Sequence, residues 1–212
     1  MRRWISLALN AAMAVVVIVS WTKMAFSVEN GVLSAPGVGS LKYFTVLSNF
    51  LQAAASLAYV IALARVLAGK SARVPRSVTR LKYAAVVSVS LTFLTVALFL
   101  GRLYGYRNMF IGPNFWFHLT VPLAAALDFC ALDREGSVSL GDSLIAIVPM
   151  LLYGVAYALN ILLNGMGEPG HSNDWYGFAA GGVKTFPLVF IGIGLATWGV
   201  ALLERLPRRG RE

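Results

Sequence analysis

The stretch LKYFTVLSNFLQ, residues 41–52, opens a long apolar segment but carries four polar side chains at helical spacing. Thr45, Ser48, Asn49 and Gln52 stand at positions i, i+3, i+4 and i+7, which share one face of an α-helix. In a membrane this face cannot meet lipid, because each unpaired polar group there costs several kcal/mol. The polar face therefore has to lie against other protein or line a water-filled cavity.

The composition of the 212-residue chain is that of a membrane protein. Hydrophobic residues make up 58% of it and charged residues only 13%, whereas a soluble domain carries roughly 25% charged residues. The length allows one compact bundle, so we expect a single domain over residues 1–212. Cys130 is the only cysteine in the sequence, which excludes an internal disulfide and a cysteine-rich metal site.

Six apolar runs have the length that a membrane helix needs, about 20 residues for a hydrocarbon core ~30 Å thick. They are residues 4–21, 43–67, 83–100, 114–132, 144–163 and 185–203. The first run follows a basic start but lacks a small-x-small cleavage site, so we expect it to be retained as a helix. The sequence therefore predicts an all-α membrane protein, a bundle of six transmembrane helices.

Basic residues are distributed unevenly over the two ends of this bundle. If the N-terminus is cytoplasmic, 13 of the 18 basic residues fall in cytoplasmic segments, among them Lys82 and Arg134. The outer segments hold Lys23, Lys42, Arg102, Arg107 and Lys184. This asymmetry predicts that both termini are cytoplasmic. A nucleic-acid-binding patch is the alternative for a net charge of +9, but the chain lacks interleaved aromatic residues and a soluble fold to carry one.

Two ionisable side chains lie inside the predicted fourth helix, His118 and Asp128. They are ten residues apart, or roughly 15 Å along the helix axis, and therefore belong to different sites. Asp128 approaches the cytoplasmic end, where it can reach Arg134 or lipid head groups, and we interpret it as a structural or interfacial carboxylate. His118 lies about one turn inside the outer end, at the depth that Thr45 has in the second helix.

The fifth predicted helix contributes a third polar face. Its members share the spacing i, i+4, i+7 and i+11 and are Tyr153, Tyr157, Asn160 and Asn164. Tyr157 and Asn160 end near the depth of Thr45 and His118, so three polar faces converge in the outer half of the bundle. The proline in each of the last three helices is expected to bend it and open space, at Pro122, Pro149 and Pro187.

Thr45 and His118 are the smallest pair in this cavity that could perform acyl transfer. A hydroxyl is a weak nucleophile until a neighbouring base takes its proton, and Ser48, Asn49 or Asn160 could donate hydrogen bonds to an oxyanion. The residues alone leave other interpretations open. Polar faces also join membrane helices by hydrogen bonds, a cavity can bind a lipid or small molecule without turnover, and a transport path would pass Asp128.

Residues 165–182 form the longest outer loop, and its aromatic side chains suit a lid at the membrane interface. We expect Trp175 and Tyr176 to contact the substrate together with four pocket residues, Ser48, Asn49, Tyr157 and Asn160. No cofactor is expected. A metal site is not expected either, because His118 has no second ligand at its level, and His171 with Asp174 is more simply a solvated loop pair.

Three segments of the chain resemble one known family. YFTVLSN (43–49), FHLTVP (117–122) and DWYGF (174–178) are similar to runs in the androgen-induced protein (FAR-17a) family of six-helix membrane proteins and in bacterial relatives. The resemblance implies a threonine hydrolase that cleaves fatty-acid esters of hydroxy fatty acids. By motif position the nucleophile is Thr45 and the histidine is His118. Bacterial relatives imply the inner membrane as location, with membrane lipids and a lipid ester as partners.

Overall fold

The computed structural model describes residues 1–26, 35–168, 171–179, 181–182 and 185–209. Within these residues, six helices are long and apolar enough to cross a membrane. They are α1 (Arg2–Phe26), α2 (Phe44–Leu67), α3 (Arg76–Tyr104), α4 (Pro113–Leu132), α5 (Leu140–Asn164) and α6 (Phe186–Arg208). The prediction of a helical protein with six candidate membrane spans is therefore confirmed.

Short elements occupy the connections between these helices. They are a 3-10 segment (Gly37–Lys42) before α2, one helical turn (Tyr106–Met109) before α4, and an antiparallel pair of strands, β1 (Gly167–Glu168) and β2 (His171–Ser172), after α5. Local chemistry fixes both ends of α5. Ser139 and Asp142 form a capping box at its start, and Gly165 follows its last residue with a φ of +69°, which glycine adopts without strain.

Helix α3 is the centre of the bundle. In the most apolar 18-residue stretch of α3, 61% is buried, against 22–39% in the corresponding stretches of the other five helices. Helix α3 contacts α2, α4, α5 and α6. Tyr83 of α3 stacks on Phe129 of α4 with ring centroids 5.4 Å apart, and its hydroxyl donates to the Ala201 carbonyl of α6. One side chain of the central helix thus holds two of its neighbours.

The outer surfaces of α5 and α6 are covered by large exposed apolar side chains. They are Leu151, Leu152, Val155, Leu159, Leu162 and Leu163 on α5, and Leu188, Ile191, Leu195 and Leu203 on α6. Soluble monomers rarely expose a contiguous apolar surface of this extent, and it is the surface that a hydrocarbon core requires.

Wide, π-helical turns interrupt α3 at Val96–Leu100 and α4 at Trp116–Thr120 and Asp128–Leu132. Such turns are rare and occur frequently at functional sites, and the first turn of this kind in α4 contains His118. The prolines act less uniformly than predicted. Pro187 does not bend α6, because it lies in the first turn, where its missing N–H would have had no helical partner.

A buried ionic network closes the end of the bundle at which α1 begins and α6 ends, which we call the basic end. Helix α3 starts about two turns earlier than predicted, so Lys82 lies inside it rather than in a loop. Its ammonium is 2.5 Å from Asp128 and 2.9 Å from Asp133, and Arg208 is 2.5 Å from Asp133. The side chains of all four residues are at most 1% exposed.

The expected contact of Asp128 with Arg134 or lipid head groups is not found. Asp128 points into the bundle, where it pairs with Lys82 and accepts a hydrogen bond of 2.7 Å from the Asn10 amide. Lys82 also lies 3.3 Å from the ring centroid of Tyr59. The partner of Asp128 is therefore Lys82 of α3. The distribution of basic residues had placed Lys82 in a cytoplasmic loop.

Candidate functional site

His118 lies in α4 within the π-helical turn, with only 2% of its surface exposed. Its Nδ1 is 2.7 Å from the carbonyl oxygen of Met109, in the turn before α4. A carbonyl can only accept, so Nδ1 carries the proton, and in the neutral ring the lone pair is then on Nε2. The backbone of Met109 thus holds the tautomer in which Nε2 can act as a base.

Thr45 lies in the first turn of α2 and is half-buried. Its carbonyl accepts hydrogen bonds from the Ser48 hydroxyl at 3.1 Å and the Asn49 amide at 2.8 Å. Among the described residues its own hydroxyl has no hydrogen-bond partner, and none of the hydrogen bonds between them joins Thr45 to His118. The pairing of these two side chains as nucleophile and base stays a prediction.

Asn49 connects the turn that carries Thr45 to the turn that carries His118. Its Nδ2 donates both to the Thr45 carbonyl and, at 3.2 Å, to the carbonyl of Phe117, the residue before His118. Asn49 is fully buried, and both hydrogens of its amide are used in this bridge. It was predicted to face the substrate as a donor. The structure shows it as a link between α2 and α4, with no amide hydrogen left for an oxyanion.

The polar face of α2 is hidden inside the bundle. Ser48, Asn49 and Gln52 are each at most 2% exposed. The Ser48 hydroxyl is 3.1 Å from that of Thr92 in α3, and the Gln52 amide donates to Ser56 at 3.0 Å. The expectation that these polar groups are covered by protein is therefore confirmed for these three residues, and α3 supplies a partner of Ser48 and α4 a partner of Asn49.

A groove of about 300 Å³ runs between α2 and α5. Its walls are apolar apart from two hydroxyl-bearing residues, and the lining residues are Phe44, Leu47, Ser48, Leu51, Pro149, Leu152, Tyr153 and Ala156. A volume of this size is at the lower limit of ligand pockets, which start near ~300 Å³. At about 100° per residue, Thr45 lies about 60° around α2 from Ser48, the lining residue nearest to it, and is not itself part of the lining. The groove therefore runs beside the face that carries Thr45.

Asp174 organises the loop that follows α5. It is 8% exposed, so the predicted solvated pair with His171 does not describe it. Its carboxylate accepts from the Tyr157 hydroxyl at 2.5 Å and from the backbone N–H groups of Phe178 and Ala179 at 2.8 and 2.9 Å. One buried side chain thus ties residues 171–179 of the loop, which we call the lid, to helix α5.

Two aromatic residues attach the lid to the entrance of the groove. The indole of Trp175 donates to the Tyr153 hydroxyl at 3.0 Å, and the Tyr176 hydroxyl accepts from the backbone N–H of Phe44, also at 3.0 Å. Burial raises the pKa of Tyr176 well above its ordinary value, so its hydroxyl remains protonated. Trp175 and Tyr176 also pack against the apolar cluster that contains Phe117.

The polar face of α5 divides into two parts. Tyr157 is 1% exposed beneath the lid, where it also accepts from the Tyr176 N–H at 3.1 Å. Asn160 accepts from Asn164 at 3.0 Å, and the Asn164 carbonyl accepts from Asn173 of the lid. Tyr157 thus supports the lid from below. In the described part of the chain, no hydrogen bond brings Asn160 to Thr45 or His118.

Two residues that position the site were not found from the sequence. Met109 contributes only its carbonyl oxygen to His118, and no side-chain pattern reveals a backbone acceptor. Thr92 contributes a hydroxyl to Ser48 from the middle of an apolar helix. The only signal for Thr92 was its polar character within α3, and that signal does not show which helix it faces.

Replacement of Asp174 by asparagine is expected to loosen the lid. Asparagine has a single acceptor oxygen, so at least one of the three donors that Asp174 satisfies loses its partner, at about 1–3 kcal/mol for a buried group. Hydrogen exchange of the lid amides should become faster in Asp174→Asn. Glu168→Gln is the matched control, because Glu168 is exposed, and equal exchange in the two variants would contradict the role given to Asp174.

Comparison with known proteins does not supply a function for this chain. No protein-family model matches it, and neither curated proteins nor solved structures give a match. The function of the chain therefore has to be inferred from the geometry around His118, Thr45 and the groove.

Proposed function

We propose that this chain is an intramembrane hydrolase of lipid esters in which Thr45 is the nucleophile and His118 the general base. The observation that carries the proposal is the hydrogen bond between His118 Nδ1 and the Met109 carbonyl. It leaves the Nε2 lone pair for proton abstraction, the arrangement that a histidine base needs. The bridge made by Asn49 supports the same assignment, because it ties together the turns that carry the two residues.

The proposed reaction proceeds through an acyl-threonine. Nε2 of His118 takes the proton of the Thr45 hydroxyl while Oγ forms a bond to the ester carbonyl carbon. The bond from that carbon to the alcohol oxygen breaks, and the alcohol leaves with the proton from His118. The same ring then deprotonates a water molecule, which attacks the acyl-threonine, releases a fatty acid and restores Thr45. An ester of a hydroxy fatty acid supplies both the acyl group and the alcohol.

The missing contact between Thr45 and His118 is compatible with this reaction. Hydrogen bonds between catalytic groups are often long or poorly aligned without substrate and form in the substrate complex. The Thr45 hydroxyl has no competing partner among the described residues, so reorienting its side chain costs no hydrogen bond.

The groove between α2 and α5 is the proposed site of the acyl chain. It is apolar, it opens on the outside of the bundle, and it is lined by Phe44 and Ser48 on either side of Thr45 in sequence. An acyl chain entering from the bilayer would not have to cross water. Following the distribution of basic residues, we place both termini in the cytoplasm and the lid on the opposite face of a bacterial inner membrane.

Covalent labelling tests the proposed nucleophile. A fluorophosphonate probe should phosphonylate Thr45, with the bond from Oγ to phosphorus replacing the bond from phosphorus to fluoride, and mass spectrometry should place the adduct on that residue. Thr45→Ala should abolish the label, and Thr45→Ser should retain it. Ser48→Ala is the matched control and should still be labelled. The proposal fails if folded wild-type protein takes up no label and hydrolyses no lipid ester.

A lipid-binding protein without catalytic activity is the second candidate, and the groove is the observation that favours it. In that case a fatty acid or lipid would bind the wild type and Thr45→Ala equally. Leu51→Trp, which fills the groove, would weaken binding. No ester would be turned over by any variant.

A further inference from the structure

A cleft of about 1050 Å³ opens at the basic end, between the loop before α3, the loop between α4 and α5, and the last turns of α6. Arginine is its dominant side chain, with hydroxyl groups between. The five arginines are Arg73, Arg76, Arg134, Arg205 and Arg209, and the hydroxyl-bearing residues are Thr79, Ser137 and Ser139. The membrane orientation of a protein requires only a number of basic residues near one surface. Their convergence on one cavity needs a separate explanation.

The carboxylates around the cleft are already used in other ion pairs. The pairs are Asp142 with Arg76 and Arg80, Glu135 with Arg3, and Asp133 with Lys82 and Arg208. Among the described residues, no carboxylate lies within ion-pair distance of Arg73, Arg134, Arg205 or Arg209. Four guanidinium groups thus surround one cavity without a counter-charge from the described chain. An anion in the cleft would relieve their mutual repulsion.

Arg208 makes the wall of this cleft rigid. Its buried guanidinium donates to the carbonyls of Phe129, Glu135 and Gly136 at 2.9–3.0 Å, besides its pair with Asp133. Gly136 has a φ of +77°, and a Cβ there would lie 3.2 Å from the Thr79 hydroxyl oxygen. The loop after α4 therefore packs closely against Thr79 of α3, and Arg208 binds its backbone carbonyls. These contacts fix the shape of the cleft.

The arginines differ in how far they are fixed. Arg205 is half-buried and its Nε donates to the Val138 carbonyl at 3.3 Å, so its guanidinium is held at the wall. Arg73, Arg134 and Arg209 are exposed at the rim. One positioned guanidinium with three exposed ones around it is suited to a ligand with several anionic oxygens.

We propose that this cleft binds a phosphate group, carried either by a lipid or by a soluble molecule. The planar guanidinium matches two phosphate oxygens at once, and such charge-assisted pairs are the strongest hydrogen bonds that a side chain makes. The volume exceeds that of a phosphate alone and leaves room for the substituent that carries it. The cleft lies at the end of the membrane-spanning helices, where a lipid phosphate and a soluble phosphate can both reach it.

The test measures binding to purified protein in a non-ionic detergent with two probes. Dioctanoyl phosphatidic acid represents the lipid phosphate and pyrophosphate the soluble one. The variant Arg73→Gln/Arg134→Gln/Arg209→Gln should bind whichever probe the wild type binds, but roughly tenfold or more weakly. The control Lys23→Gln/Arg102→Gln/Arg107→Gln removes the same charge from exposed residues at the other end and should bind like the wild type.

The two probes distinguish the source of the phosphate, and each result has a defined meaning. Binding of pyrophosphate supports a soluble ligand, and binding of phosphatidic acid alone supports a lipid head group. The proposal is overturned if the wild type binds neither probe, or if the control variant loses as much affinity as the cleft variant. Because all six substituted side chains are exposed, matched melting temperatures are expected to show that both variants are folded.

Discussion

His118→Gln is expected to slow ester hydrolysis by roughly 10²–10⁴-fold, the usual contribution of a general base. Glutamine can still donate to the Met109 carbonyl, but its amide takes up no proton from Thr45. The rate of acylation should therefore fall while binding of the fatty-acid product in the groove is unchanged. Steady-state hydrolysis of a fatty-acid ester of a hydroxy fatty acid, with binding of the free fatty acid measured in parallel, checks both parts.

The control for this prediction is Ser48→Ala, which removes a hydroxyl bonded to Thr92 but leaves the proposed nucleophile and base in place. It should change the rate far less than His118→Gln does. If folded His118→Gln hydrolyses the ester at the wild-type rate, His118 is not the base. If it loses fatty-acid binding in proportion to its activity, His118 shapes the groove rather than the reaction.

Lys82→Met is expected to destabilise the protein by about 3–5 kcal/mol, the range for a broken buried ion pair. Lys82 is fully buried and contacts Asp128 and Asp133, so its removal leaves two carboxylates in the interior with less positive charge. Lys70→Met is the matched control, because Lys70 is exposed. Unfolding in detergent, followed by circular dichroism, gives the difference. Adding Asp128→Asn to Lys82→Met should recover part of the loss.

The pH dependence of this loss identifies its cause. Burial raises the pKa of Asp133, but Lys82 and Arg208 outweigh burial, and the net pKa lies below the ordinary value of 3.8. In the wild type the resulting stability is present above pH 3.8 and is lost as the pH falls through the lowered pKa. In Lys82→Met, protonation of the Asp133 carboxylate removes a negative charge that has lost its lysine partner. The stability difference between the two proteins should therefore shrink as the pH falls, and a constant difference would indicate lost packing instead.

The positions of the spanning helices were readable from the sequence because twenty apolar residues in a row have few alternatives. The start of α3 was not, because Arg76, Arg80 and Lys82 resemble a loop. Their counter-charges come from Asp128, Asp133 and Asp142. The shortest separation in sequence, between Lys82 and Asp128, is 46 residues. A charged residue enters a span when a distant residue neutralises it, and that pairing is a property of the fold.

The site could be predicted only in part for a similar reason. Helical periodicity correctly showed that the polar face of α2 is covered, since periodicity depends on local geometry alone. It did not show that Asn49 bridges two backbone carbonyls, that a backbone carbonyl orients His118, or that Asp174 is buried beneath Phe178 and Ala179. Each of these facts involves main-chain groups, and the types of side chain in a sequence do not show which main-chain groups a side chain will meet.

The buried Arg208 has a consequence for biosynthesis. It binds Asp133 across 75 residues of sequence, which a ribosome adds in roughly 4–15 s at 5–20 residues per second. Of the two cations that pair with Asp133, Lys82 and Arg208, only Lys82 has been synthesised during that interval. The loop after α4 also lacks the guanidinium that holds its carbonyls. Assembly of the nascent protein in the membrane is therefore completed only when α6 docks and delivers Arg208 to its place.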